Sequence, residues 1–145
     1  MRHPVLFLPI AALLLATTPP ALADERELVK MPPRMQAHMR ANMRDHLLAV
    51  HEIQAAMARG DYETAARVAE QRLGMSSLES HGASHMAGVM PPGMRATGTA
   101  MHRAASRFAV SAQEAGVDRD LARAVAALAE VTAQCVACHA AYRIQ

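Results

Sequence analysis

Apolar residues recur at three- and four-residue intervals through most of this chain. Met35, Met39, Met43, Leu47, Val50, Ile53 and Met57 form one such stripe, the pattern of an amphipathic helix with a single buried face. Pro32-Pro33 suits a first turn, so the stripe predicts a first helix from about Arg34 to Arg59, stopped by Gly60. Asp61 is an N-cap for a second helix, with Glu63 in its first turn. "YETAARVAEQRLGM" carries that helix to about Leu73. The stretch "SSLESHGASHMAGVMPPG" is rich in Ser and Gly, ends on a double proline, and reads as a long connection with room for one helical turn. A third helix is expected from about Pro92 to Gly116. Asp118 is expected to cap a fourth that runs through Arg143, one turn after His139, and whose apolar face is Leu121, Ala124, Leu128, Val131, Cys135, Cys138 and His139.

No run of alternating β-branched residues is present, so no strand is expected. Amphipathic helices without strands predict an all-α fold, here an up-down-up-down four-helix bundle over residues 24–145. The links Gly60-Asp61 and Gly116-Val117-Asp118 are short, which makes their flanking helices antiparallel neighbours. The first and fourth helices then lie side by side and antiparallel. The end of the fourth should face residues between Met35 and Leu47.

The N-terminus has a different pattern. Arg2 and His3 precede an apolar run from Val5 to Ala16, and Ala21-Leu22-Ala23 stands just before Asp24. These are the three regions of a cleavable secretory signal. The run is shorter than the ~20 residues a spanning helix needs. Residues 1–23 are therefore expected to be removed, leaving no membrane span; an uncleaved N-terminal anchor is the alternative. Charge adds an exclusion. Fifteen Lys and Arg against thirteen Asp and Glu give a formal net charge of +2, with no basic surplus of the kind nucleic-acid binding needs. Aromatic residues beyond the leader are Tyr62, Phe108 and Tyr142.

The two cysteines stand together in "CVACH", Cys135 to His139. As a structural disulfide the pair would close a very short loop and constrain the unfolded chain little. C-x-x-C-H is the attachment signature of a c-type haem. On a helix, residues three and four apart share a face. Each thiol can thus form a thioether to the macrocycle while the imidazole ligates iron from one side. Three other readings fit the same residues. A thioredoxin-like pair needs its thiol at a helix N-terminus, where the dipole lowers its pKa; this pair is near a C-terminus. A zinc site would need a fourth ligand. Two buried cysteines beside an unrelated histidine is the third.

"CVACHAAYR" at the end of a helical bundle resembles the cytochrome c′ and cytochrome c556 family. Tyr142 and Arg143 match the aromatic and basic residues that commonly follow that family's motif, and "ARGDYETAA" at Arg59–Ala66 is similar to its first interhelical turn. The link at 81–94 departs from the family pattern. The resemblance implies one covalent haem c, with Cys135 and Cys138 as anchors and His139 as proximal ligand. It implies a one-electron carrier in the periplasm, not an enzyme, with periplasmic redox proteins as partners and a homodimer as a possible assembly. The family draws its distal residue from the first helix, which points to Met43, with Met39 as the alternative. His46, one turn on, is a further donor or else a solvated or hydrogen-bonded helix histidine. A distal thioether gives electron transfer; an open sixth position gives a gas-binding protein. Either methionine can equally be core filler. Arg143 is a candidate partner for a haem propionate, or an exposed cation favoured by the helix dipole. His81, His85, Met86, Met90 and Met94 in the link form a copper-type ligand set. The other reading of the link is a segment that packs its methionines on the haem pocket.

Overall fold

The computed structural model of the chain describes residues 24–145, so the expected leader lies outside the described residues. The described chain is mostly helical. Four long helices, α1 (Pro33–Ala58), α2 (Tyr62–Arg72), α4 (Pro92–Asp118) and α5 (Leu121–Ala141), are joined by short turns and by one link that contains a 3-10 turn (Met75–Ser77) and the one-turn α3 (Ala83–Met86). The expectation of no strands is corrected. β1 (Glu27–Val29) and β2 (Tyr142–Ile144) pair in parallel, with Glu27 opposite Tyr142, Leu28 opposite Arg143 and Val29 opposite Ile144. Three-residue strands have no readable period, and these two lie at opposite ends of the described chain.

Local chemistry explains the helix ends. Pro33 occupies the first position of α1, where its missing N–H costs nothing. Gly60 has φ +73, the left-handed turn that glycine adopts without a Cβ penalty. It lets the Asp61 N–H donate back to the Ala56 carbonyl at 2.9 Å. Asp61 then accepts the Thr64 N–H at 3.1 Å and opens α2. The next boundary differs from expectation. Gly116 does not end its helix: α4 continues to Asp118, Arg119 makes the left-handed turn, and Asp120 rather than Asp118 caps α5 through the Arg123 N–H at 2.9 Å. Gly116 packs under Tyr62, where a Cβ would stand 3.2 Å from the tyrosine Cβ. Close approach to α2 accounts for this glycine. The last helix also ends early, at Ala141, and Arg143 lies in β2 rather than one helical turn beyond His139.

α1 packs on α2, α2 on α4 and α4 on α5, whereas α1 and α5 do not pack closely. The main core lies at one end of the helices and is largely alanine: Ala49, Ala56, Ala65, Ala69, Ala105, Ala112 and Ala124 around Ile53, Phe108, Leu128 and Val131. Arg72 of α2 crosses to α1, pairing with Asp45 and with Glu52 at 2.6 Å. A second cluster is built from Val29, Met31, Met39, Met86 and Met94, with Met43, Cys138 and Tyr142 packed against it. α5 is long and apolar enough, by length and composition, to cross a membrane; Ala124, Leu128 and Val131 on it face the main core.

Phe108 is the largest of the fully buried side chains and sits in the alanine core. Phe108→Ala is expected to cost about 3–5 kcal/mol and Asp61→Ala about 1 kcal/mol in urea unfolding. A loss below about 1 kcal/mol for Phe108→Ala would show that this end of the core collapses around the deletion.

Candidate functional site

Between α1 and α5 the structure has two adjoining cavities of about 500 and 560 Å³, within the range of small-molecule and cofactor sites. Met43, His46, Gly98, Met101, Cys138 and His139 line both. Methionine is the commonest residue of the first cavity's wall: Met39, Met43, Met86, Met90, Met94 and Met101 all line it. Gly98 sits mid-helix in α4, where glycine costs about 1 kcal/mol relative to alanine. A Cβ there would meet nothing within 4 Å, so its missing side chain leaves cavity space open rather than relieving a clash.

The structure brings the sequence-predicted residues to these cavities from opposite sides. Cys135, Cys138 and His139 come from the last turns of α5. The cysteines are half-buried and free, and the histidine is exposed on the protein surface while lining the cavity wall. Burial raises the pKa of both thiols, that of Cys138 further through its neighbour Cys135. They are held as thiols, which disfavours a thiolate redox pair. Among the described residues no three His, Cys, Asp or Glu side chains are grouped to hold a metal ion, so the zinc reading has no fourth ligand from those types. From α1 come Met39, buried, and Met43, half-buried and lining both cavities.

The two strands close one edge. Arg26 donates to the His139 carbonyl at 3.3 Å and pairs with Asp24 at 2.7 Å. The hydrogen bonds that Arg26 donates to Asp24 hold its carboxyl down at about 2. The Arg143 Nε stands 3.4 Å from Asp24, within charge-pairing range but not aligned as a hydrogen bond, and is buried with no hydrogen-bond partner. Arg26 and Arg143 both line the first cavity. Tyr142 reaches from β2 to Gly93 at the start of α4, so close that any side chain at residue 93 would collide with its hydroxyl.

A third feature is a group of imidazoles. His46 of α1, His81 of the link and His102 of α4 have ring centroids 4.7, 5.6 and 6.0 Å apart. His46 Nε2 faces His81 Nδ1 at 3.4 Å. His102 Nδ1 lies 2.7 Å from the Leu73 carbonyl, which fixes the proton on that nitrogen. The His81 carbonyl receives His38 Nε2 at 2.8 Å and Asn42 Nδ2 at 3.1 Å, binding the link to α1. His46 is buried, not solvated, and burial first, then the neighbouring His81 and His102, lower its pKa from 6.5 to about 4. His81 is lowered by burial and by His102. His85 does not join: it is exposed on α3, which begins after His81, so the two never share a helical face.

Comparison of the chain with family models, with curated proteins and with solved structures gives no match. Two functional candidates were missed in the sequence. His102 had a signal, since it sits beside Met101, one turn before Ala105 and two before Ala109 on the apolar stripe of its helix. Arg26 had none, because its approach to His139 depends on the strand pairing.

The imidazoles make stability pH-dependent. A histidine whose folded pKa is depressed resists protonation in the native state, so its contribution is complete above its unfolded value of about 6.5 and is lost as pH falls. The urea midpoint is expected to drop between pH 6.5 and 4, and His46→Gln to flatten that drop. The carboxylates held low by hydrogen bonds, Asp45, Asp61 and Glu70, act below about pH 4. An equal drop in His46→Gln and parent would clear His46 of this role.

Proposed function

We propose that the chain is an exported monohaem c-type cytochrome that passes single electrons between periplasmic redox proteins. It is related to the cytochrome c′ and c556 group, and its helices form an up-down-up-down four-helix bundle behind a signal peptide cleaved after Ala23. One observation carries this reading: Cys138 and His139 line both cavities and Cys135 the second, and Met43 lines both from α1.

Four features of the site fit a haem. The cavities have the volume of a cofactor site. The wall is soft and apolar, as a macrocycle requires. Gly98 leaves open a space that any side chain would enter. The Arg143 Nε is buried without a hydrogen-bond partner, a donor suited to an acidic substituent at the cavity edge. Haem, when bound, supplies a one-electron iron couple. The chain's own residues do the rest. Cys135 and Cys138 would anchor the macrocycle through thioethers. His139 offers a proximal imidazole, whose backbone carbonyl Arg26 holds at 3.3 Å. Met43 offers a distal thioether, which raises the potential and leaves no open coordination position. Arg26 and Arg143 offer guanidinium groups for propionates. The methionines exclude water from the space between α1 and α5. No residue set here suggests substrate turnover, and the reading is of a carrier, not an enzyme.

The test is an absorption spectrum of the protein exported with haem-attachment machinery, taken oxidised, reduced, and reduced under CO. A sharp low-spin reduced spectrum, unmoved by CO and lost in Met43→Ala but kept in Met39→Ala, is expected. A broad spectrum that shifts with CO would replace electron transfer by gas binding on an open face. Absence of haem after acid–acetone extraction of the protein would overturn the cytochrome reading.

A further inference from the structure

We propose that His46 and His81, together with thioether sulfur from the cavity wall, form a binding site for a monovalent copper ion. The site uses neither Cys135, Cys138 nor His139, and stands whether or not the haem reading does.

The argument starts from one distance. His46 Nε2 and His81 Nδ1 face each other at 3.4 Å. That is at the long end of hydrogen-bond contact, and it matches the separation of two nitrogens on one tetrahedral ion, about 3.4 Å for bonds of 2.0–2.1 Å. The backbone fixes the pair. His46 is on a continuous helix, and the His81 carbonyl is held by His38 and Asn42. His102 packs against both rings but commits its Nδ1 to Leu73, so it positions them rather than donating from that nitrogen.

The surroundings choose the metal. Among the described residues no third His, Cys, Asp or Glu joins the pair. Besides Cys138 and His139, which this site does not use, the soft donors that line the same cavity are thioethers, with Met86 and Met101 buried on the wall that also carries His46 and His81. Hard ions need oxygen ligands, and zinc takes thiolate, imidazole or carboxylate; imidazole with thioether selects copper(I). Charge agrees. The one neighbouring carboxylate, Asp45, is already paired with Arg72, so no anion is free to neutralise a divalent ion in this buried place. A single positive charge on neutral ligands costs less.

Free thiols bind copper(I) themselves, so the test uses the haem-loaded protein and a Cys135→Ser/Cys138→Ser chain. Each is titrated anaerobically with copper(I) against bicinchoninate, with helical content checked by circular dichroism. One copper per chain is expected in both forms. Affinity should fall at least about tenfold in His46→Ala and in His81→Ala, and stay unchanged in His85→Ala. X-ray absorption of the copper-loaded parent should show nitrogen and sulfur neighbours together. Sulfur without nitrogen, or unchanged affinity in both histidine variants, would overturn the site. Equal competition by zinc would overturn the assignment to copper. Haem content, measured separately by acid–acetone extraction, keeps the two proposals apart: copper binding in the Cys→Ser chain survives a failed haem reading, and its loss there leaves that reading intact.

Discussion

Alanine-to-alanine contact governs this structure. Ala56 of α1, Ala65 and Ala69 of α2, Ala105 and Ala112 of α4 and Ala124 of α5 are almost completely buried. Side chains this small let helix axes approach toward the short end of the usual 8–10 Å. Each contact buries little area, so the core depends on many of them, with Phe108, Ile53, Leu128 and Val131 filling the volume between. The packing runs from α1 to α2, α4 and α5 and does not close directly between α1 and α5. The open flank becomes the cavity.

Methionine takes over where alanine stops. At the far end of α1, and in the link and the start of α4, Met39, Met86, Met94 and Met101 are buried, and their flexible thioethers line a space rather than fill it. Unbranched, polarizable side chains adapt to an irregular or changing occupant. The edges of this end are held by polar bonds instead of packing. β1 lies parallel to β2, Arg26 bonds the carbonyl of His139, and Asp24 gathers Arg26 and Arg143. The residues that follow the predicted cleavage point thus reach the motif at the other end of the chain.

The imidazole group joins these two regions. Its members come from α1, α4 and the link, so the link is fastened by ring contacts and by the bonds to the His81 carbonyl. Burial disfavours the charged forms of His46 and His81, and His102 is satisfied by the Leu73 carbonyl. Arg72, paired with Asp45 and Glu52 on α1, stands beside them and further opposes their protonation. The same desolvation that costs stability in acid leaves nitrogen lone pairs free at neutral pH.

Much of this was legible in the chain itself. The stripe from Met35 to Met57 and the caps at Gly60 and Asp61 are local, so α1, its end and the start of α2 followed from spacing and from single-residue conformational preference. The grouping of Cys135, Cys138 and His139 followed from helical periodicity alone. Gly116 misled because a glycine reads as a stop, and the contact with Tyr62 that retains it within a helix is made across the fold. Arg143 left the helix for the same kind of reason: its partner strand is at the other end of the chain. The sequence by itself determined the helices, their polarity of burial and which residue types share a face, since these depend on neighbours within a turn or two. Only the tertiary structure decided that α1 and α5 stand apart around a cavity, that His46, His81 and His102 meet, and that Arg26 reaches His139. Those depend on contacts between residues far apart in sequence, which no local pattern encodes.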